Sequence, residues 1–431
     1  MPILAAAWVG ALLAPGLTYA QAIGTEFQVN TTTSMNQREA DVAVDGDGNF
    51  IVVFQNHLPT TNANVSARRF SRDGQPIGDE FQVNTTSFSD VTLPAVAMAP
   101  DGRFVVVWQD FGDDGSGFGI FARRYAANGS AQGANFLVNT TTDDAQRRAD
   151  VAMDDDGNFV IVWEDDTAGN EKRGIRGRRY NAVGGAQGGE FDVSTNADID
   201  HTYPKVAMDG DGNFVVGWSS GNVGANQNVV FRRFQANGTA IGLPVQVNVT
   251  SRMEHASGVV NNMAIGSDAS GNFIVAWAAD NFSGPGVPGQ SIGILARGYD
   301  STGTPLGNAF EVNTANPSGA PEVAVTANGT FAIAFEAPDG SLSGVSARFY
   351  DSDGQALGPA VRFNTTTQLG QERPSIALDE EGRGVIVWRA RNNQDGDADG
   401  VFARLLRYDS GALGGNRVLR ILCLVDEQCK K

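Results

Sequence analysis

Histidine is scarce in this chain of 431 residues, and the familiar sequence motifs of catalytic sites are missing. The three histidines, His57, His201 and His255, are far apart and lack the close spacing by which a helix or turn presents zinc ligands. There is no Gly-x-Ser-x-Gly nucleophile elbow, no P-loop and no dinucleotide fingerprint. The sequence therefore offers no signature for serine-nucleophile, nucleotide-dependent or histidine-zinc chemistry.

Cysteine occurs only twice, as Cys423 and Cys429 near the C-terminus. Two thiols six residues apart offer too few ligands for a metal site, whereas in an exported protein they can close a small disulfide loop. We expect that disulfide to pin residues 423–431 as a C-terminal tail, with free thiols or intermolecular pairing as the alternatives.

Basic residues are outnumbered, with 31 Lys and Arg against 49 Asp and Glu, a formal net charge of -18. Such a chain repels phosphate backbones, so nucleic acid is excluded as an expected partner. The carboxylates either solvate the exterior or bind a divalent cation, and Ca²⁺ is the candidate because it prefers oxygen ligands.

Long apolar segments are missing except near the N-terminus, between Ile3 and Leu17. Residues 1–22 end in small residues and read as a secretory signal peptide with cleavage after Ala20 or Ala22, although no Lys or Arg precedes the apolar run. The apolar part is too short for a comfortable membrane span. We expect a secreted, periplasmic or extracellular protein without membrane insertion.

Against these scarcities stands a repeat that fills nearly the whole chain. An aromatic residue at the end of an apolar strand recurs at intervals of 53 to 59 residues, as Phe54, Trp108, Trp163, Trp218, Trp277, Phe335 and Trp388. Each unit of about 55 residues contains four short apolar segments joined by Gly, Asn and Asp, which is typical of a blade of a β-propeller. We predict an all-β, seven-bladed β-propeller over residues 23–422, built from seven four-stranded repeats, and expect a monomer.

Two sequences compete for the outermost strand of the last blade. A full copy of the fourth-strand motif lies at Phe27 to Asn30, before the first complete repeat, and a degenerate copy lies at Val418 to Leu422. We favour the N-terminal copy as the strand that closes the ring because it keeps the full consensus.

Loop lengths predict where a ligand would bind. In each unit, strands A and B and strands C and D are joined by tight turns such as Asp209 to Asn213, while the D-A and B-C loops are longer and polar. The longer loops then share one face of the disc, which we take as the binding face. Candidate ligand-binding residues there are Asp110, Asp113, Asp114, Asp165, Asp166, His255, Asp280 and Phe282.

The last unit has a further acidic loop, in which Asp395, Asp397 and Asp399 alternate with other residues. Converging carboxylates of this kind either bind Ca²⁺ or act as an acid and base on a glycan. Turn formation and solvation are the competing explanation for every acidic residue in these loops, because Asp and Gly are what such loops need.

One arginine recurs in every strand C, two residues before an aromatic or apolar position. A repeated half-buried guanidinium needs a partner, so we predict a structural ion pair or carbonyl contact, with a ring of anion sites as the alternative. The positions are Arg68, Arg123, Arg178, Arg232, Arg297, Arg348 and Arg404.

The unit reads Phe-Gln-Val-Asn-Thr-Thr, then Val-Ala-Met-Asp-x-Asp-Gly-Asn-Phe-Val-Val-x-Trp, then Ala-Arg-Arg-Tyr. It resembles β-propeller repeats of large exported bacterial proteins, often found beside calcium-binding or adhesin-like modules. The resemblance implies a secreted propeller and assigns no catalytic residue.

Three functions remain open at this stage. Seven similar loops favour a secreted binding module for carbohydrate or another cell-surface polymer, because weak sites gain avidity when repeated. A polysaccharide-active hydrolase or lyase would instead gather unlike residues at one place, such as Glu254, His255 and Asp280 of the fifth unit. A structural or adhesin-like scaffold needs no small ligand, and the fold does not choose among the three.

Overall fold

Seven four-stranded antiparallel sheets form a ring, so the chain is an all-β, seven-bladed β-propeller. The computed structural model describes residues 20–408 apart from 59–60, 86–89, 167–171, 197, 222–227, 249–262, 282–289, 314–320, 341 and 392–393. His255, Phe282, the C-terminal strand candidate and both cysteines lie outside the described residues.

The strands follow the order A, B, C, D from the axis outward in each blade. Blade 1 contains β2 (Gln37–Val44), β3 (Phe50–Leu58), β4 (Thr61–Phe70) and β5 (Phe81–Gln82); blade 2 contains β6 (Val91–Met98), β7 (Phe104–Phe111), β8 (Phe118–Tyr125) and β9 (Phe136–Leu137); blade 3 contains β10 (Gln146–Met153), β11 (Phe159–Asp165), β12 (Gly174–Tyr180) and β13 (Phe191–Asp192); blade 4 contains β14 (His201–Met208), β15 (Phe214–Ser220), β16 (Asn228–Phe234) and β17 (Ala240–Gln246). Blade 5 contains β18 (Met263–Ser267), β19 (Phe273–Asn281), β20 (Gln290–Tyr299) and β21 (Phe310–Asn313); blade 6 contains β22 (Glu322–Val325), β23 (Phe331–Pro338), β24 (Ser343–Tyr350) and β25 (Val361–Arg362); blade 7 contains β26 (Gln371–Leu378), β27 (Arg383–Ala390), β28 (Gly400–Tyr408) and β1 (Ala20–Gln28).

The N-terminal strand closes the ring, as the consensus motif predicts. β1 pairs antiparallel with β28, and its register joins Ala20 to Tyr408 and Phe27 to Ala403. The strand begins at Ala20, so it includes the three residues that the sequence assigns to the end of the signal peptide. The outer edge of the last blade is therefore occupied by the beginning of the chain.

Strand direction gives the disc two unlike faces. The A-B and C-D connections are tight turns on one face, here called the turn face, and the D-A and B-C connections lie on the other, here called the loop face. In the A-B turn of blade 4, the Asp209 carboxylate accepts hydrogen bonds from the backbone of Asp211 and Asn213, and Gly212 has a φ of 83°. Only glycine takes that conformation without strain, which is why the turn motif keeps it.

The hydrophobic core lies between blades. One cluster joins Val53 and Val65 of blade 1 to Val106 and Trp108 of blade 2, and the same arrangement repeats around the ring. The repeated aromatic of strand B is at most 2% exposed in all seven blades. The apolar residues on both faces of strand B are therefore explained by burial between two neighbouring sheets.

The repeated arginines contact backbone carbonyls between blades. Arg123 Nη1 donates to the carbonyl of Val83 in the preceding blade at 2.8 Å, and the Arg123 guanidinium lies 5.6 Å from the ring centroid of Tyr125. Equivalent inter-blade bonds are made by Arg68, Arg178, Arg232, Arg348 and Arg404, whereas Arg297 Nε donates to Gly307. Each of the six inter-blade bonds satisfies a carbonyl at the end of strand D. These six arginines therefore join neighbouring blades.

The part of the chain that the structure describes contains no helix with the length and apolar character of a membrane span.

Candidate functional site

The acidic residues predicted for the B-C loop of blade 2 anchor that loop. Asp110 is 1% exposed at the end of β7. The Asp114 carboxylate accepts hydrogen bonds from the Ser116 backbone and from Asn139 Nδ2, both at 3.2 Å. Asp113 is exposed on the loop surface. The three residues therefore differ in exposure, from the buried Asp110 to the exposed Asp113.

In blade 3, the predicted acids pair with arginines. Asp165 is 3% exposed and lies 2.7 Å from Arg176 Nε, and Asp166 lies 3.5 Å from Arg147 Nη1. Burial raises the pKa of Asp166, and Arg147 opposes that shift. Both carboxylates therefore have cationic partners within the fold.

The three alternating acids of blade 7 have separate partners. Asp395 accepts from Asn30 Nδ2 at 3.1 Å, Asp397 accepts from the Met35 backbone at 2.8 Å, and Asp399 accepts from Arg389 Nε at 2.9 Å. Two of these bonds tie the B-C loop of the last blade to the segment after the closing strand. Among the described residues, no cluster of three His, Cys, Asp or Glu side chains could hold a metal ion.

The fifth unit contributes little to the described site. Asp280 lies in β19, where its backbone pairs with Ser291. His255 and Phe282, which the sequence places beside it, lie outside the described residues.

The innermost strands carry a repeated bulge at the loop face that the sequence did not indicate. In blade 3 the register slips between Arg147 and Asp150, so two residues of β10 lie opposite Trp163 alone. The first residue of the bulge has a positive φ in five blades: Glu39, Leu93, Arg148, Tyr203 and Arg373, with φ between 51° and 54°. A non-glycine residue with this backbone conformation costs roughly 1–2 kcal/mol of folding free energy. These five residues define the channel mouth.

The bulges are held by the preceding blade. The backbone N–H of Tyr203 donates to Glu164 Oε1 at 2.7 Å, and that of Arg373 donates to Glu336 Oε1 at 2.9 Å. In both cases the acceptor follows the repeated aromatic of strand B. Burial raises the pKa of Glu164, and burial raises the pKa of Glu336 to about 7 while the Arg373 backbone opposes it.

Side chains of the channel mouth contact one another between neighbouring blades. The Arg148 guanidinium lies 4.5 Å from the ring centroid of Tyr203. On the opposite side of the propeller, between blades 7 and 1, Arg373 forms an ion pair with Glu39. The mouth therefore presents aromatic, cationic and anionic groups in fixed relative positions.

Ion pairs around the channel mouth expose the cation more than the anion. Arg148 pairs with Glu164 at 2.6 Å, and their side chains are 21% and 1% exposed. Arg173 shows the same difference with Asp200, at 22% and 10%, and Arg373 with Glu39, at 42% and 18%. Although the whole chain is acidic, the surface of these pairs is formed mainly by guanidinium groups.

An aromatic pair lies beside this cationic surface in blade 2. Phe111 is 54% exposed and packs edge to face with Phe118, with ring centroids 5.1 Å apart. The Arg147 guanidinium lies 5.3 Å from the centroid of Phe118. The exposed Phe111 therefore offers an apolar platform, and the cation lies against its partner Phe118.

The described histidines are engaged in hydrogen bonds that fix their neutral forms. His201 Nδ1 accepts from Trp218 Nε1 at 3.0 Å, and His201 Nε2 lies 2.7 Å from the Asn196 carbonyl. His57 Nε2 lies 2.8 Å from both Arg38 and Gln55. Burial lowers the pKa of both histidines, and Arg38 lowers that of His57 further.

Deeper in the channel, four charged residues occupy equivalent or nearby positions of the innermost strands. Lys205 Nζ of blade 4 lies 3.0 Å from Glu322 of blade 6. This ion pair therefore joins two blades that are separated by blade 5. Asp150 accepts the Val206 backbone N–H, and Asp41 accepts that of Val96 and the Ser375 hydroxyl. Burial raises the pKa of Asp150 to about 6 and that of Glu322 to about 7. We call these four residues the channel tier.

The opposite end of the channel opens on the turn face as a cavity of about 220 Å³. Its walls are the last side chains of the innermost strands, and its rim is formed by the A-B turns. The wall side chains are Val44, Met98, Met153, Met208, Ser267, Val325 and Leu378. Six of these seven side chains are apolar, whereas the rim includes Asp45, Asp155 and Asp209, so the cavity has an apolar wall and an acidic rim.

Sequence reasoning identified the loop face and missed the residues of the channel mouth. Arg148 and Tyr203 occur at the start of strand A, within a pattern that reads as an ordinary strand. Unlike the Asp and Gly of the loops, neither residue type favours a positive φ. The nearest signal in the sequence is that polar and charged residues precede an otherwise apolar inner strand.

Comparison with known proteins shows the same fold in solved structures of low sequence identity. The polysaccharide lyase Uly1 is 10% identical, with a TM-score of 0.55 over 90% of this chain and 93% of that chain. A second lyase structure, an ulvan lyase bound to -[GlcA(1-4)Rha3S]-, is 11% identical with a TM-score of 0.52 over 89% and 93%. A protein of unknown function from Dyadobacter fermentans is 10% identical with a TM-score of 0.53 over 90% and 99%. No family model and no curated protein matches the chain.

Proposed function

We propose that this chain is an exported binding protein whose loop face recognises a polysaccharide that carries carboxylate or sulfate groups. The observation that carries the proposal is the outward cation in the ion pairs of the channel mouth, next to Tyr203 and the exposed Phe111. The proposal includes export through residues 1–22, as in the bacterial repeat proteins that its motifs resemble.

Arginine and aromatic side chains supply the two contacts that such a ligand needs. The apolar face of a sugar ring packs on an aromatic ring, and a guanidinium donates paired hydrogen bonds to carboxylate or sulfate oxygens. Arg148 is already oriented by Tyr203 and Glu164, so little of its conformational freedom remains to be lost on binding. The fold is also one on which polysaccharide lyases are built.

The net charge of -18 does not oppose local recognition at physiological ionic strength. The Debye length is then about 8 Å, so charges on the turn face are screened from a ligand on the loop face. Guanidinium groups in direct contact with the ligand are screened much less. Binding should therefore depend on the arginines of the channel mouth more than on total charge.

Binding of dextran sulfate, polygalacturonate and unmodified dextran tests the proposal. We expect the first or second polymer to bind and dextran to bind at least tenfold more weakly, because dextran lacks the anionic groups. Phe111→Ala should weaken binding by about tenfold. Val183→Ala removes a side chain that is 75% exposed in a turn-face loop and is the matched control. Equal binding of all three polymers, or of neither anionic one, would contradict the proposal.

Calcium is tested in the same titrations. The loop carboxylates that have been described already have partners, so we expect a chelator to leave the affinity unchanged within twofold. A loss of binding on chelation would contradict this expectation and assign a metal site to the loop face.

A polysaccharide-active enzyme is the second candidate function, favoured by Glu336. Its pKa of about 7 suits a general acid, and it lies next to Arg373 of the channel mouth. New reducing ends or unsaturated products in the same polymer solutions would support this function. Loss of that turnover in Glu336→Gln, with binding retained, would assign the proton transfer to Glu336.

A further inference from the structure

We infer that the five side chains of the channel mouth are the specificity-determining contacts of the loop face and that they form one ligand site per molecule. The inference rests on the proposed function and identifies the part of the face that reads the ligand. Neither the acidic loops nor the repeated arginines are needed for it.

The choice of residue at a strained backbone position is the first argument. Among the described residues, 24 glycines have a positive φ, so this chain places glycine freely where the backbone requires it. At the channel mouth the first residue of the bulge also has a positive φ in five blades, and none of these five residues is glycine. Backbone strain of this kind persists only where the surrounding structure over-determines it, and it clusters at functional sites. A purely structural bulge could have glycine there without that strain.

The surroundings of these side chains are the second argument. Arg148 contacts Tyr203 and Arg373 contacts Glu39, so the contacts run between neighbours around the opening. All five residues are partly exposed, and none belongs to the buried clusters between blades. The backbone hydrogen bonds to Glu164 and Glu336 hold the bulges of Tyr203 and Arg373 without using the side chains of those two residues. The side chains are therefore available to a ligand while their backbone is fixed.

The chemical variety of the five positions is the third argument. The same geometric position holds a glutamate, a leucine, a tyrosine and two arginines. The equivalent positions of the other two blades, residues 262 and 320, lie outside the described residues. Identical sites in every blade would repeat one residue type, whereas unlike residues around one opening make a single asymmetric surface. We therefore expect one anionic polysaccharide chain to bind at the channel mouth.

Glycine substitution separates this role from a structural one. Tyr203→Gly and Arg373→Gly remove the side chain and relieve the strained backbone, so both variants should fold with a Tm within about 2 °C of the parent or above it. Binding of a short dextran sulfate should weaken at least tenfold in each. Asp144→Gly is the matched control, since Asp144 has a φ of 59° and is exposed in a D-A loop outside the mouth. Calorimetric titration of the parent should give one site per chain.

The outcomes distinguish the inference from the proposed function. Parent-like binding by both mouth variants, with dextran sulfate bound by the parent, would overturn the inference and leave the proposed function standing. A Tm lowered by more than about 5 °C in both variants, but not in Asp144→Gly, would show that the side chains are structural and would also overturn it. If the parent binds neither anionic polymer, the proposed function fails and the inference fails with it. A stoichiometry near seven would replace the single site by one site per blade.

Discussion

Equivalent residues of the repeat meet the same requirement in different ways. The buried Trp388 donates its indole N–H to Gln371 Oε1 at 2.7 Å, and Trp218 donates to His201 Nδ1 across the same spacing. Val91 has the equivalent position in blade 2, and there the Trp108 nitrogen has no partner among the described residues. In blade 3 the equivalent Gln146 accepts from Asn139 instead, and Trp163 Nε1 has no partner among the described residues. A histidine therefore accepts the indole N–H in blade 4 as a glutamine does in blade 7.

This comparison predicts that His201→Gln keeps the fold and reduces its sensitivity to acid. Burial lowers the pKa of His201 below 6.5, so the neutral ring stabilises the fold above that pH and the contribution is lost as the pH falls below it. Glutamine does not titrate. In urea unfolding, the variant should lie within about 1 kcal/mol of the parent at pH 7.5 and lose less stability than the parent by pH 5.

Asn196 provides a control for this prediction because its carbonyl, and not its side chain, accepts from His201. Asn196→Ala should keep the pH dependence of the parent. An unchanged slope in His201→Gln would show that this histidine does not report on the fold between pH 5 and 7.5.

Residue roles could be predicted from the sequence only where residue type and local geometry agree. The turn glycines were predictable because Gly212 and its equivalents adopt the conformation that glycine favours. The partners of the repeated arginines were left open between an acid and a carbonyl, because a strand-D carbonyl of another blade is visible only after the blades pack. Arg148 and Tyr203 could not be predicted, since the clamp on their backbone comes from a residue of the preceding blade.

At the scale of elements, the closing strand joins the two ends of the described chain. β1 pairs with β28 over register partners that include Gln21 and Arg407, both of which are exposed. Val29 and Asn30, just beyond β1, continue the contact through hydrogen bonds with Val401. The outer strand of blade 7 is therefore held by two ladder segments, which are separated by an irregularity between Ile23 and Phe27.

A cysteine pair across that ladder tests the closure. Gln21→Cys with Arg407→Cys, in a chain that is produced without residues 1–19 so that no signal cleavage removes Gln21 and whose two native cysteines are serine, should form a disulfide because the residues are register partners. The bond closes a loop of nearly the whole chain and should raise the Tm under oxidising conditions, since it restricts the unfolded state. Non-reducing mass spectrometry of peptides identifies the bond.

Gln21→Cys with Leu405→Cys is the matched control, because Leu405 pairs with Ile23 and lies two residues out of register. We expect little disulfide in that variant. Equal oxidation of both pairs would mean that the register of β1 is not fixed, and oxidation of neither would contradict closure by the N-terminal strand.

Strands and turns could be predicted from the sequence because each is specified locally by alternating apolar residues and turn chemistry. The repeated bulge could not. It inserts one residue opposite the aromatic of strand B, and the two sides of that mismatch are about 15 residues apart in the sequence. Local propensity for Arg148 or Tyr203 favours an extended strand, so the inter-blade clamp overrides it.

At the scale of the whole molecule, the channel tier joins blades that are not neighbours. Lys205 of blade 4 pairs with Glu322 of blade 6, and Asp150 and Asp41 add further negative charge around the same ammonium group. Each of the two paired side chains keeps about a fifth of its surface accessible, at 20% and 23%. The single lysine therefore neutralises part of a cluster of three carboxylates inside the ring.

Lys205→Met should destabilise the protein by about 3 kcal/mol at pH 8, because it leaves buried carboxylates without their cation. The pKa values of Asp150 and Glu322, about 6 and about 7, are raised by burial, so their stabilising protonated forms are lost as the pH rises through those values. The difference between variant and parent should shrink at pH 5, where both carboxyls bind protons. Denaturant unfolding at the two pH values measures it.

The double variant Lys205→Met with Glu322→Gln is the control, since it removes one carboxylate together with the lysine. It should recover part of the stability lost at pH 8. If Lys205→Met lowers the free energy of unfolding equally at pH 5 and pH 8, the effect comes from packing and not from charge.

The number of blades was predictable from the sequence because the period counts them directly, and the loop face was predictable from loop lengths. Which residues surround the channel was not, since Lys205 and Glu322 are separated by more than a hundred residues and by a whole blade. The charged channel mouth and the cavity with its apolar wall at the other end both arise only when seven inner strands come together.

The pairing of β1 with β28, which joins Phe27 to Ala403, also has a consequence for biogenesis. A chain emerging from a ribosome or a translocation pore exposes β1 first and its partner β28 last, so blade 7 stays incomplete until almost all of the chain has emerged. A truncated product ending before β28 would carry an unpaired β1 and lack its seventh blade. Circular permutants that start in a D-A loop, with the present ends linked, would make all four strands of every blade contiguous and remove this delay.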